Sequence, residues 1–372
     1  MPTDPTPDTD AAAPASNRFT ELLATRPWLL ADGATGSNLF DVGLVSGEAP
    51  ELWNFAHPDR IRALHRSFVE AGADIILTNS FGGTRYRLKL HQAEARVREI
   101  NRRAAELARA EADASGRVVA VAGSMGPTGE IMEPVGTLSF ELARDAFAEQ
   151  ALALAEGGAD VLWIETMSSA EEVRAAVAGA AVAGLPVVCT LSFDTNGRSM
   201  MGLSPSDFAA LGQSLVPRLA ACGANCGVGA AEMVACVHNL VQSAGPDVVV
   251  VAKGNCGIPK YVDGRIVYDG TPELMAVYAR MARDAGARII GGCCGTSATH
   301  LRAMRDALVA HERSAPPALE QVVAALGEIS NGARAQWGGA QDRLAGAAPG
   351  ANLRRGRGRR GAAGSGGDGD GD

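Results

Sequence analysis

Aromatic residues are scarce in this sequence: nine Phe, four Trp and four Tyr make up 5% of its 372 residues. A core with so few rings must close on small and branched side chains, which suits helices lying tightly on a sheet. Charge is thin as well, at 20%, and the formal net charge is −8. That balance excludes a nucleic-acid binder working by bulk electrostatics. Long apolar runs are missing; none approaches the roughly 18 residues that argue for a membrane span. The opening MPTDPTPDTDAAAPASN lacks the basic-then-apolar pattern of a secretory signal and the Arg-rich pattern of a transit peptide. The expected location is the cytoplasm. Seven cysteines are an odd number. In a reducing compartment, clustered cysteines point to metal binding or catalysis before bridges.

What is present is a recurring unit. EAGADIILTNSF (70–81), EGGADVLWIETM (156–167) and DAGARIIGGCCGT (284–296) share one layout. An amphipathic helix stops at Gly-Ala, a branched apolar run follows, and polar or glycine residues end it. Glycine accepts the left-handed conformation that terminates a helix, and a short continuous apolar run reads as a buried parallel strand. This template predicts strands at 28–33, 74–80, 118–124, 160–166, 186–193, 223–228, 247–254 and 287–292. Helices are expected between them. In 58–71 Ile61, Leu64, Phe68 and Val69 share a face, and in 139–156 Leu142, Phe147, Ala151 and Leu154 do so behind a Ser139 cap. Strand and helix alternating eight times predict an α/β fold, a (β/α)8 TIM barrel over 18–314. An open doubly wound sheet is the alternative. Residues 1–17 read as a disordered segment, and 315–372 as a helix at 317–329 followed by a low-complexity Arg/Gly/Asp tail. The Arg354, Arg355, Arg357, Arg359 and Arg360 cluster reads first as solvated, with weak RNA or anionic-surface binding as the alternative.

Barrel enzymes place their chemistry where strands end. Those ends collect Asp32-Gly33, Asn79, Glu165, Asp194, Asn225-Cys226, Lys253-Gly254-Asn255-Cys256 and Cys293-Cys294. The adjacent pair alone reads first as core packing, since free cysteine is commonly buried; a disulfide between neighbours is a strained ring. Cys226 changes this, because the sixth and eighth strands of a closed barrel are neighbours but one. Three converging thiolates match a zinc site with one open position. Cys256 as a fourth thiolate would instead close the site. Cys189, Cys222 and Cys236 read as packing.

DGATGSNL (32–39), GADIILTNSF (72–81), GSMGPTGE (123–130), NCGVG (225–229) and GGCCGT (291–296) together resemble the homocysteine S-methyltransferase family. With APELWN, TRYRLKLH and KGNCGIP, the sequence is most similar to bacterial betaine–homocysteine S-methyltransferases. The resemblance implies a (β/α)8 barrel and a Zn2+ held by Cys226, Cys293 and Cys294, onto which the homocysteine sulfur is brought to accept a methyl group. It implies Asp32, Gly33 and Glu165 as homocysteine anchors. For Asp32 turn-forming and for Glu165 a structural salt bridge are the plain alternatives. Asn255 is a neighbour of the site, with turn capping as its first reading.

The methyl donor is less constrained. A quaternary ammonium such as betaine is recognised by aromatic faces, and the candidates are Trp53, Phe81, Trp163 and Phe193, the last two reading first as packing. Trp53 lies in the long first loop, a lid position. Animal betaine enzymes carry tyrosines where this sequence has Gly82 and Thr166, so a betaine site here is built differently. Alternatives are the homocysteine-activating subunit of a split cobalamin-dependent methionine synthase, or use of S-methylmethionine or S-adenosylmethionine. A zinc-binding regulatory barrel without turnover is the non-enzymatic reading. The expected partners are small molecules, with homo-oligomerisation left open.

Overall fold

A computed structural model describes residues 17–262 and 265–339. Residues 1–16 of the segment 1–17 that was expected to be disordered, and the tail from 340 with its arginine cluster, lie outside the described residues. Asn17 belongs to the fold: its side chain accepts from Thr20 N and caps helix Arg18–Thr25, and its Nδ2 donates to Asp160 O at 2.8 Å.

Among the described residues ten strands form, at β1 Leu29–Leu30, β2 Ile75–Leu77, β3 Ala120–Met125, β4 Val161–Met167, β5 Val187–Leu191, β6 Ala221–Cys226, β7 Val250–Gly254, β8 Pro259–Val262, β9 Arg265–Tyr268 and β10 Ile289–Gly292. Eight of them make one parallel sheet in the order β1-β10-β7-β6-β5-β4-β3-β2. A parallel bridge between Ala31 and Ile75 brings the first and last of these together. The fold is the (β/α)8 barrel, not the open sheet. All eight expected strands are present, though β6 begins two residues earlier than the apolar pattern suggested. Its ACGANC sequence carries almost no branched residue to mark its start.

Side-chain alternation divides the core into two layers. Leu29, Ile75, Ala120, Val161, Trp163, Val188, Val251 and Ile289 cluster inside the barrel, together with Phe19 and Leu22 of the first helix. Their neighbours Leu30, Ile76, Val121, Leu162, Cys189, Cys222 and Ile290 pack outward against the helices. Trp163 and Phe193 are thus packing residues, as are Cys189, Cys222 and Cys236.

The helix starts follow local chemistry. Pro58–Ala71 begins with proline at a first-turn position and stops at Gly72, whose φ is 107°. Phe140–Glu156 is capped by Ser139, which accepts from Leu142 N. Leu142 is 55% exposed and does not share the buried face of Phe147, Ala151 and Leu154. Five residues of helix turn through about 500°, which points Leu142 away from Phe147. The helix expected at 317–329 forms as Leu319–Leu326 and ends at Gly327 with φ 103°; a further helix, Asn331–Trp337, follows where the low-complexity tail was expected to begin. The antiparallel β8–β9 hairpin between β7 and the following helix was not expected from the sequence. Among the described residues no helix is long and apolar enough to cross a membrane.

Candidate active site

The C-terminal strand ends enclose a cavity of about 370 Å³ whose wall includes Gly33, Phe81, Glu165, Cys226, Cys293 and Cys294. The sulfurs of Cys226, Cys293 and Cys294 lie within 4.8 Å of one another, and Cys226 Sγ is 3.9 Å from Cys294 Sγ. β6 and β10 flank β7, so the sheet order brings residue 226 to residues 293 and 294. All seven cysteines are free thiols. Backbone bonds fix the loop: Cys293 N donates to Gly254 O at 2.8 Å and Cys256 N to Cys294 O at 2.9 Å.

The three thiols share protons unequally. Bonds from Cys293 and Cys294 hold the Cys226 thiol far below its ordinary value, at about 3. The same contacts push Cys293 up to about 11 and raise Cys294. Cys226 thus carries a thiolate to which its two neighbours donate, a set that gives up its remaining protons to solvent when a cation binds. The donor chemistry fits a metal ion. Thiolates on tetrahedral zinc, at about 2.3 Å from the ion, sit about 3.8 Å apart, close to the spacing seen here. Cys256 is not in this group: its thiol donates to Gly270 O at 3.2 Å, and burial pushes it up to about 11.

Backbone strain marks the site. Cys226 has φ 63° and Thr166, at the end of β4, has φ 61°. Non-glycine residues held this way cost about 1–3 kcal/mol each and persist only where neighbours enforce them. Asn225 is the enforcing side chain. Its Oδ1 accepts from Thr166 N at 2.8 Å and Thr190 Oγ1 at 2.7 Å, and its Nδ2 donates to Thr166 Oγ1 at 2.7 Å. Nδ2 also lies 3.9 Å from Cys293 Sγ. Asn255 sits at the next strand end, where its Nδ2 donates to Gly227 O at 2.6 Å. That bond is the turn-holding role expected for it, while its buried Oδ1 has no partner among the described residues.

Glu165 lines the cavity and accepts from Ser124 Oγ. Burial, reinforced by the Cys293 thiol, raises its carboxyl to about 7, against the pull of Lys253. Gly33 is required by contact: a Cβ there would lie 2.5 Å from Thr296 O and 2.8 Å from the Phe68 ring. Asp32 is placed differently from the expectation. It does not line the cavity; its Oδ2 accepts from Leu77 N at 2.7 Å and its Oδ1 from Lys253 Nζ at 2.6 Å. Burial raises the Asp32 carboxyl and Lys253 opposes this. Lys253 does line the cavity, fully buried, with its ammonium 5.8 Å from the Trp163 ring. Sequence reasoning places Lys253 at a strand end without assigning it a role, although a lysine closing the apolar run VVVVA is itself a signal. It also missed Asn225 as a keystone, and Tyr268 of the hairpin, whose phenol is raised by burial and by the Cys294 thiol beside it.

Of the aromatic candidates for the donor, Phe81 is at the cavity and Trp53 is not. Trp53 is buried among Leu39, Leu44, Ile61 and Leu107, edge-on to His57, and is not a cavity wall.

A TIM barrel with three thiols gathered at one rim, beside a buried carboxyl, presents a donor set that could hold a metal ion. The chain belongs to the homocysteine S-methyltransferase family, whose profile matches residues 29–308. Two methionine synthases, from Mycobacterium tuberculosis and Mycobacterium leprae, are each 31% identical to it over 297 and 305 residues, covering 75% and 77% of this chain. The chain spans about a quarter of the length of these relatives, 24% and 25%. Among solved structures, the metallated form of the homocysteine methyltransferase MmuM from Escherichia coli superposes with a TM-score of 0.65 at 25% identity. That match covers 78% of this chain and 99% of MmuM.

Proposed function

We propose that this barrel transfers a methyl group to the thiol of L-homocysteine, giving L-methionine, with Zn2+ held by Cys226, Cys293 and Cys294. The observation that carries the reading is the convergence of these three sulfurs, within 4.8 Å, on one wall of the cavity. The metallated MmuM structure supports it. Bound zinc supplies Lewis acidity that keeps a substrate thiol deprotonated and nucleophilic near neutral pH.

The protein's own groups do the positioning. Three thiolate ligands leave a position free on a four-coordinate ion. Glu165 offers a carboxylate to the substrate ammonium. Lys253 and the backbone N–H groups of Gly33 and Thr35 offer positive ends to its carboxylate, that of Ala34 being committed to Thr296 O at 3.0 Å. Asp32 acts from below, fixing Lys253 and the β2 backbone rather than meeting substrate. Asn225 holds Cys226 in the strained conformation that aims its sulfur at the pair just after β10. Fixing both ends of homocysteine this way converts an encounter into an aligned attack.

Betaine is the donor that the sequence resemblance favours, with dimethylglycine as the second product. Phe81 provides an aromatic face, and Gly126 backs it closely, since a Cβ there would lie 2.6 Å from the ring. A second reading has its own observation: the chain matches only a quarter of two methionine synthases. In that reading the methyl group arrives from a separate cobalamin-carrying protein. One experiment separates them. Zinc-loaded protein is incubated with homocysteine and betaine, and methionine and dimethylglycine are quantified. Equimolar products without cobalamin support betaine. Methionine formed only with methylcobalamin supports the second reading. No methionine with either, from protein of full zinc content, removes methyl transfer from these donors.

A further inference from the structure

The wall of the cavity away from the sulfurs has charged groups the proposed chemistry leaves unused. Glu51, buried on the loop after β1, accepts from Gly82 N at 2.6 Å. A Cβ at position 82 would lie 2.9 Å from Glu51 Oε1, so a side chain there would push the Glu51 carboxyl aside. Arg87 and His91, from the segment after β2, line the same cavity as Glu51 and Phe81. Neighbouring arginines on this stretch are committed elsewhere: Arg85 pairs with Glu149 and Arg96 with Glu99. The Arg87 guanidinium has no hydrogen bond or ion pair with any described residue. It is held instead against the turn at Gly129, where a Cβ would lie 3.2 Å from its Nη1. Nor does it close on Glu51, although the two charges influence one another across the cavity.

A half-buried guanidinium with its donors unspent, facing a cavity, is a receptor for a planar anion. A carboxylate and an aromatic ring on the same wall suit a positive centre. We propose that Arg87, with His91 beside it, is the subsite for the carboxylate of the methyl donor. The donor class is then an onium carboxylate, a small zwitterion whose methyl-bearing cation lies by Phe81 and Glu51. This rests on the methyl-transfer reading above and deepens it.

The test uses zinc-loaded enzyme and the variants Arg87→Ala and Arg87→Lys. Steady-state kinetics are run with betaine at saturating homocysteine and with homocysteine at saturating betaine. Betaine binding is measured by calorimetry with methionine in place of homocysteine, so that no turnover occurs. Losing a charge-assisted bidentate contact is expected to weaken betaine by about 10-fold or more in Arg87→Ala. Arg87→Lys should recover part of that, since lysine keeps the charge without the fork. The homocysteine KM, zinc content and unfolding temperature stay at wild-type values. Trimethylsulfonium, an onium without a carboxylate, should lose nothing in Arg87→Ala. Unchanged betaine affinity, or a rise in the homocysteine KM in its place, overturns the subsite. So does wild-type enzyme that binds no betaine. Betaine binding that Arg87→Ala abolishes, in protein that forms no methionine, would uphold the subsite and remove the reaction instead.

Discussion

Replacing Lys253 by methionine keeps the volume of the side chain and removes its charge. In the native protein its Nζ lies 2.6 Å from Asp32 Oδ1 and 3.1 Å from Asp32 O, with both side chains at most 2% exposed. Breaking a buried pair by removing one member costs about 3–5 kcal/mol, because the other charge is left uncompensated. Glu165 adds a second carboxylate that Lys253 serves. With about 2.1 cal/mol/K of unfolding entropy per residue, the unfolding temperature should fall by roughly 5–8 °C. The sign of the pH effect follows from Asp32. Burial already raises its carboxyl, and losing Lys253 raises it further. A carboxyl raised on folding destabilises at pH above its folded value, and the penalty vanishes below its unfolded value of about 3.9. The gap between Lys253→Met and wild type should therefore narrow as pH falls from about 8 to about 5. Adding Asp32→Asn should cost less than the sum of the two single changes, since each removes the other's unpaired charge. The assay is thermal unfolding at both pH values, at matched zinc content. A variant within about 1 kcal/mol of wild type, or a gap that does not change with pH, would refute the electrostatic reasoning.

Serine at position 226, 293 or 294 should each abolish stoichiometric zinc, read by elemental analysis after dialysis, while serine at 256 should leave it intact because that thiol serves Gly270 O. Asn225→Ala should release the strained backbone at Thr166 and Cys226; with three short bonds lost it is expected to cost about 2–4 kcal/mol and to weaken zinc in a chelator competition, although it donates no ligand. Glu165→Gln should weaken homocysteine binding by calorimetry without changing zinc content. In wild type the Glu165 carboxylate forms as pH rises through about 7, so homocysteine affinity should climb across that range, and the Gln variant should lose that part of the climb.

The barrel was legible in the chain because its signals are local. Gly72 and Gly286 stop their helices in the left-handed conformation, and the runs after them are too uniformly apolar for anything but strands covered on both sides. The thiol cluster was legible for a topological reason: once eight parallel strands close, the ends of the sixth and eighth must be near each other. Phe81 and Glu165, at strand ends, came with that frame.

What the chain alone could not reveal depends on direction and depth, which contacts distant in sequence decide. Whether Asp32 faces substrate or supports Lys253 turns on a pairing across 221 residues. Trp53 sits in a loop that suits a lid, yet the packing of Leu39, Ile61 and Leu107 buries it elsewhere. The β8–β9 hairpin bringing Tyr268 to Cys294 left no periodic mark strong enough to read. Local sequence determined which segments are helix and strand, because propensity and burial pattern act over a few residues. The tertiary fold decided which charges meet, because a buried ion pair is selected by the low-dielectric space that closes around it.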